Sequence, residues 1–424
     1  MLKRNFILII IGQIISLFGN AILRFALPLY LLGETNSALL FGLVSACSFI
    51  PMILMYPIGG IIADRVNKRN IMVILDFSTA GITLLFTVFL GSIDLTALIL
   101  VMLILLYGIQ GAYQPAVQAS VPLLMTKEDL AKGNAAINLV SSLAALIGPV
   151  AGGAIYGFFG LYPILYVSIL CFAFSAIMEL FIQIPFKRHT HSKGIIKTGY
   201  SDFRESVAFI KKQRPVIWKI SLLAASVNLF FSALIVIALP VIITQMLGFS
   251  ESTGNRLYGY AEGVIAAGSL IGGLLAGILS RHQKAHYQYL LLIISSIMLL
   301  PVAAGLFFPL PAMTVYIIIN ICCFIMMIIS SLFSIQMLTY LQLLTPEHML
   351  GKVISCAMCI CMCAHPIGQA AYGILVEKLK DSLFFLFAAA FAITVLIALA
   401  NRKLFKEVDI LLAQDTKPAD AADK

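Results

Sequence analysis

Five ionisable side chains lie within long apolar runs of this 424-residue chain: Arg24, Asp76, Glu179, Glu262 and His365. Charge in an apolar medium is expensive, so such residues are kept for pairing, proton relay or ligand contact. Asp76 has a simpler reading as a brace for the turn before its helix, and Glu179 as a group reaching the interface. Glu262 is therefore the foremost proton-carrier candidate, with Arg24 its foremost candidate partner. His365 suits a proton step by residue type, but beside Pro366 it is more simply read as a hydrogen-bonding residue between helices.

Gln110, Gln114 and Gln118 recur at i, i+4 and i+8, one face of a helix. A polar stripe on a spanning helix faces protein or water, so cavity lining and interhelical packing both remain open. Gln13, Asn20, Asn228, Asn320 and Gln336 complete the substrate-cavity candidates. Cys356, Cys359 and Cys363 share a helical face with a soft-metal pattern, but intramembrane cysteines are usually small packers. No metal site, cofactor or disulfide is expected. The chain has no GxxxxGK[ST] phosphate loop and no Ser/His/Asp constellation. It is read as a non-enzyme driven by a gradient.

These residues must be positioned by spanning helices. Hydrophobic residues make up 61% of the chain and charged ones 11%, against about 25% charged in soluble proteins. A spanning helix needs about 20 apolar residues, and the apolar runs here are long and lack the alternation of barrel strands. The expected class is an all-α polytopic membrane protein. Twelve spans are read at 6–32, 37–60, 71–91, 95–122, 134–158, 161–184, 216–247, 258–280, 287–307, 312–342, 351–375 and 381–400. The first is too long for a signal peptide and lacks a cleavage site.

The formal charge is +9, and 24 of the 28 Lys and Arg fall at the N-terminus, the turns after even-numbered spans and the C-terminus. That asymmetry places both termini in the cytoplasm of a cell-membrane protein, and no basic patch suggests nucleic acid. Residues 185–215 form a polar linker with an expected interfacial helix at Ser201–Lys212. The linker separates lobes at 1–184 and 216–400, and residues 401–424 are read as a cytoplasmic tail.

The halves repeat. Gly59-Gly60 matches Gly272-Gly273, Thr126 matches Thr345, Gly148-Pro149 matches His365-Pro366, and Tyr156-Gly157 matches Tyr372-Gly373. The offsets are 213, 219, 217 and 216. Such a parallel repeat fits two pseudo-symmetric six-helix lobes.

Two motifs bear on movement. The stretch from Gly59 to Arg69 is a short charged turn between apolar segments. Gly59 and Gly60 permit close helix approach, while Asp64, Arg65, Lys68 and Arg69 supply charges for switchable ion pairs. Asp76 is grouped with them. In span 5, Gly148, Pro149, Gly152 and Gly153 combine a helix-bending proline with packing glycines.

Together these features resemble the major facilitator superfamily over about residues 5–400. Within it the chain is most similar to the macrolide-efflux and enterobactin-exporter branch of bacterial proton antiporters. The residues carrying that likeness are Gln13 to Asn20, Phe25 to Tyr30, and Tyr107 where many antiporters have Arg before the Gln110-Gly111 pair. The resemblance implies that the span 2–3 turn latches one state, and that the Gly-Pro segment marks an exporter. It implies a midplane cavity lined by spans 1, 4, 7 and 10. The expected function is export of an amphipathic small molecule, drug- or macrolide-like, against inward protons by a monomer in the bilayer. The alternatives are export of a native metabolite such as a siderophore, import of a small metabolite, and a non-transporting receptor.

Overall fold

In a computed structural model, the described residues are 2–125, 130–184, 211, 214–279, 285–346 and 350–415. The side chains of Asp64 and Arg65, nearly all of the expected interfacial helix and the tail beyond Asp415 lie outside them.

Twelve described helices are long and apolar enough to cross a membrane. Hydrocarbon offers no partner to backbone N–H and C=O groups, so each span satisfies its own by folding as a helix. They are α1 (Leu2–Thr35), α2 (Ala38–Arg65), α3 (Lys68–Phe89), α4 (Leu95–Leu124), α5 (Leu130–Phe159) and α6 (Leu161–Leu180). The series continues with α7 (Pro215–Met246), α8 (Glu251–Leu279), α9 (Ala285–Phe307), α10 (Ala312–Leu343), α11 (Leu350–Lys378) and α12 (Leu383–Ala400). A further helix, α13 (Arg402–Asp415), follows. Large apolar side chains such as Leu170, Leu274 and Phe159 are exposed on the flanks, as a lipid-facing surface requires.

Short polar connections set the helix starts. Ser37 caps α2 by accepting from Leu40 N, and Asn67 caps α3 by accepting from Arg69 N at 3.0 Å. Asp94 caps α4 through Ala97 N at 2.8 Å. Only Gly160 separates α5 from α6, at φ +77°, a reversal that favours a residue without Cβ.

Three features depart from the expected elements. Helix α8 begins at Glu251, earlier than expected, because the polar run through Arg256 forms its first turns. Helix α7 contains two π turns, at Asn228–Ser232 and Ile242–Met246. Residues 402–415 are helical because Leu404, Phe405 and Val408 recur on one face, and all three are buried.

By contact the chain forms two compact units. The first holds Met1–Ser192 with Ile237–Ala266, the second Lys193–Val236 with Ala267–Lys424. In the first, α1 packs on α4, α5 and α6, α2 on α4, and α3 on α6. In the second, α9 packs on α10 and α12, α11 packs on the first part of α7, and α13 covers the start of α9.

Candidate functional site

The first unit holds most of the chemistry. Arg24, half-buried on α1, lays its guanidinium 3.7 Å from the ring centre of Tyr107 on α4. It also donates a hydrogen bond from Nη1 to Gln110 Oε1. Phe49 of α2 meets the same Tyr107 ring edge-on at 5.0 Å. A cation over an aromatic face gains from the ring quadrupole, so α1 and α4 hold the charge jointly.

Glu262 on α8 is half-buried and takes a hydrogen bond from Tyr258, one turn earlier on the same helix. Tyr258 stacks on Phe25 at 5.0 Å. The partner of Glu262 thus meets the residue next to Arg24, yet Arg24 and Glu262 form no ion pair among the described residues. Each has its own partner instead.

The glycine motifs make backbone-scale contacts. A Cβ at Gly59 would lie 2.6 Å from Ala112 Cα, and one at Gly111 would lie 2.8 Å from Met52 O. Thus α2 and α4 cross with no side chain between them at those points. A Cβ at Gly60 meets nothing within 4 Å, so close packing falls on Gly59 alone. In α5, Gly148 faces Ala21 of α1, and a Cβ at Gly152 would stand 3.1 Å from Phe25. Gly153 faces the other way, where its Cβ would lie 2.7 Å from Gly259 Cα of α8. Pro149 lies inside α5 between these two contact faces. Lys68 and Arg69 begin α3, half-buried.

Asp76 and Glu179 belong to one buried cluster around Tyr113, which interacts electrostatically with both. Asp76 is 2% exposed and accepts from Ser16 Oγ at 2.9 Å. Glu179 is 1% exposed and accepts from Tyr113 OH at 2.6 Å. The simpler sequence readings of both residues overlooked this. Neither is only a turn brace or an interfacial group, because both are buried in the packing of α1, α3, α4 and α6.

The amides are distributed. Gln13 has no exposed surface, Asn20 and Gln114 are half-buried, and Gln118 accepts from Tyr56 OH at 3.4 Å. In the second unit, Asn228 stands in the first π turn of α7 and donates to Cys361 O at 3.2 Å. Tyr372 of α11 donates to Phe230 O in that turn at 2.7 Å. The widened turn leaves the Phe230 carbonyl open to Tyr372. His365 Nε2 lies 3.5 Å from Ser232 Oγ. Asn320 donates to Tyr316 O on its own helix at 2.8 Å, and Gln336 is 3% exposed.

The halves also repeat in three dimensions. A Cβ at Gly272 would lie 2.4 Å from Ile328 O of α10, whereas Gly273 is nearly open, as with Gly59 and Gly60. A Cβ at Gly368, two residues after Pro366, would lie 2.6 Å from Ala233 Cβ of α7, so α11 approaches α7 closely as α5 approaches α1, though at a different position of the repeat.

The sequence model of the Major Facilitator Superfamily matches residues 9–369. The chain belongs to this superfamily. It is 25% identical to Macrolide efflux protein A of Streptococcus pyogenes over 410 residues, covering 96% of this chain and 98% of that one. It is also 25% identical to Macrolide efflux protein A of Enterococcus faecalis over 327 residues, covering 77% of this chain and 97% of that protein. In fold it is similar to a bacterial homologue of the human lysosomal transporter Spinster, with TM-score 0.67, 14% identity and 99% of each chain covered. The protein is thus a multi-pass membrane transporter of the superfamily. Span 4 of this superfamily member has Tyr107 where many antiporters have Arg, and the positive charge beside that position comes from Arg24 on α1.

Proposed function

We propose that this transporter exports an amphipathic small molecule of macrolide-like character from the cell in exchange for inward protons. The observation that carries the reading is the likeness to Macrolide efflux protein A along 96% of the chain. The packing of α5 supports it. Its Gly-Pro segment packs through Gly148 and Gly152 on the side chains of Ala21 and Phe25 of α1, and through Gly153 directly on the backbone of α8, so the helix that carries Pro149 lies in close contact with both neighbours.

The working cycle alternates access by movement of two lobes, residues 1–184 and 216–400, joined by 185–215. Both termini are cytoplasmic, and the turn carrying Asp64, Arg65, Lys68 and Arg69 latches one state. Gln13, Asn20, Gln110, Gln114, Asn228, Asn320 and Gln336 are the polar groups assigned to cargo, within otherwise apolar surroundings that suit lipophilic compounds. Glu262, Arg24 and His365 are assigned to proton coupling, and the protein acts as a monomer.

The test is drug susceptibility of an efflux-deficient bacterial host expressing the chain, against a panel that includes macrolides. Protection that is lost with Asp64→Asn at equal membrane abundance supports the reading. No protection from any compound, with the protein confirmed in the membrane, refutes macrolide-like cargo and turns attention to native metabolites such as siderophores.

A further inference from the structure

Two carboxyl groups are buried in the same helix packing inside the first unit, and no cation pairs with either among the described residues. Asp76 comes from α3 and Glu179 from the last turn of α6, and they interact electrostatically. The groups around them come from every helix packed on the pair. Helix α1 supplies Ser16, which donates to Asp76, and Gly12, whose Cβ position is 3.5 Å from Glu179 Cγ. Helix α4 supplies Tyr113, which donates to Glu179 and also lies within the field of Asp76. Helix α6 supplies Ser175, whose hydroxyl lies within reach of Asp76 and donates to Gly12 O at 3.0 Å.

This leaves unsatisfied acceptors. Asp76 Oδ2 and Glu179 Oε2 are buried without a hydrogen-bond partner among the described residues. One turn before Ser16, Gln13 is 0% exposed and neither of its amide atoms has a partner. Two adjacent carboxylates in a low-dielectric interior repel each other, and each also loses its hydration. A single bound proton removes the repulsion and turns one unsatisfied acceptor into a donor.

We propose that Asp76 and Glu179 form a proton-binding pair that carries one proton between them in this arrangement. The proton is taken from water on loading and returned to water on release, with no other bond made or broken. Its part in coupling rests on the export reading above, whereas its protonation does not.

The first test is infrared difference spectroscopy of the full-length protein in lipid at neutral pH. A protonated-carboxyl C=O stretch should be present, be lost in both Asp76→Asn and Glu179→Gln, and shift in Tyr113→Phe. Absence of such a band from the wild-type protein overturns the proposal without needing any variant. So does a band that survives both carboxyl substitutions, or a pair showing carboxylate bands alone, as a bound metal cation would give.

The second test uses everted vesicles and a labelled macrolide. Glu179→Gln should lose uptake driven by a pH gradient and retain exchange of labelled for unlabelled macrolide. Retention of gradient-driven uptake by Glu179→Gln overturns the coupling role. If wild-type vesicles move no macrolide while the variant-sensitive band is present, the export reading fails and the protonated pair stands. If they export but the band is absent, the pair fails and the export reading stands.

Discussion

Arg24 and Gln110 are hydrogen-bonded between α1 and α4, with the Arg24 guanidinium also resting on the ring of Tyr107. One residue on α1 thereby engages two residues spaced three apart on the polar face of α4. Removal of either aromatic face or cation should be felt by the other. We expect Arg24→Ala and Tyr107→Ala to be non-additive in the stability of the purified protein, with a coupling of about 1 kcal/mol. Thermal unfolding of both single variants and the double variant measures it, and strict additivity would show that the contact contributes nothing.

Gly59 and Gly60 are adjacent but unequal. A Cβ at Gly59 would collide with the α4 backbone, whereas one at Gly60 meets open space. Gly59→Ala should lower stability by about 1–3 kcal/mol, the range for overpacking a close contact, while Gly60→Ala should be near neutral. The same order is expected for Gly272→Ala against Gly273→Ala. Equal melting temperatures within either pair would contradict the packing described.

Gly153 of α5 and Gly259 of α8 meet backbone to backbone. A methyl group at Gly153 must push the helices apart, so Gly153→Ala should impair transport more than Gly60→Ala does at matched membrane levels. Transport assays on vesicles normalised for protein check this, and unimpaired Gly153→Ala would remove the contact from any role in movement.

Asp409 of α13 accepts from Ala285 N at 2.7 Å and His286 N at 3.1 Å, and its carboxylate also pairs with His286 Nδ1. It thus serves as the cap for the start of α9. Asp409→Ala should cost about 1–2 kcal/mol and loosen α13. Limited proteolysis at Arg402, Lys403 and Lys406 reports the loosening. The nearby Lys219–Glu407 pair is about half exposed on both sides, and Glu407→Gln should leave the proteolysis rate nearly unchanged because exposed ion pairs contribute little.

The twelve spans were legible because hydrocarbon demands long apolar helices, a requirement written directly in composition. The start of α8 was hidden because Glu251, Ser252, Thr253, Asn255 and Arg256 are as polar as a loop. Helix α13 has a readable signal, the spacing of Leu404, Phe405 and Val408, but that signal sits in a segment whose polar residues give it the composition of a tail. The Gly59 and Gly148 contacts were anticipated by residue type, whereas their partners, Ala112 and Ala21, depend on which helices adjoin. The same holds for the buried carboxyls. Nothing in the spacing of Asp76 and Glu179 indicates that α3 and α6 are neighbours. The partners of Arg24 were not foreseen for that reason, since its sequence-based pairing with Glu262 weighed charge alone.

Helix α13 seals an apolar cluster in which Leu404, Phe405 and Val408 pack with Val216, Ile217 and Ala285. The start of α7 is thus covered by residues synthesised nearly two hundred positions later, as the Lys219–Glu407 contact illustrates with its separation of 188. During translation, α7 leaves the ribosome with that surface bare. It must wait, shielded by lipid or by the insertion machinery, until residues 402–412 arrive. Premature termination before Arg402 would therefore leave every span present in the membrane and the second unit still unfinished.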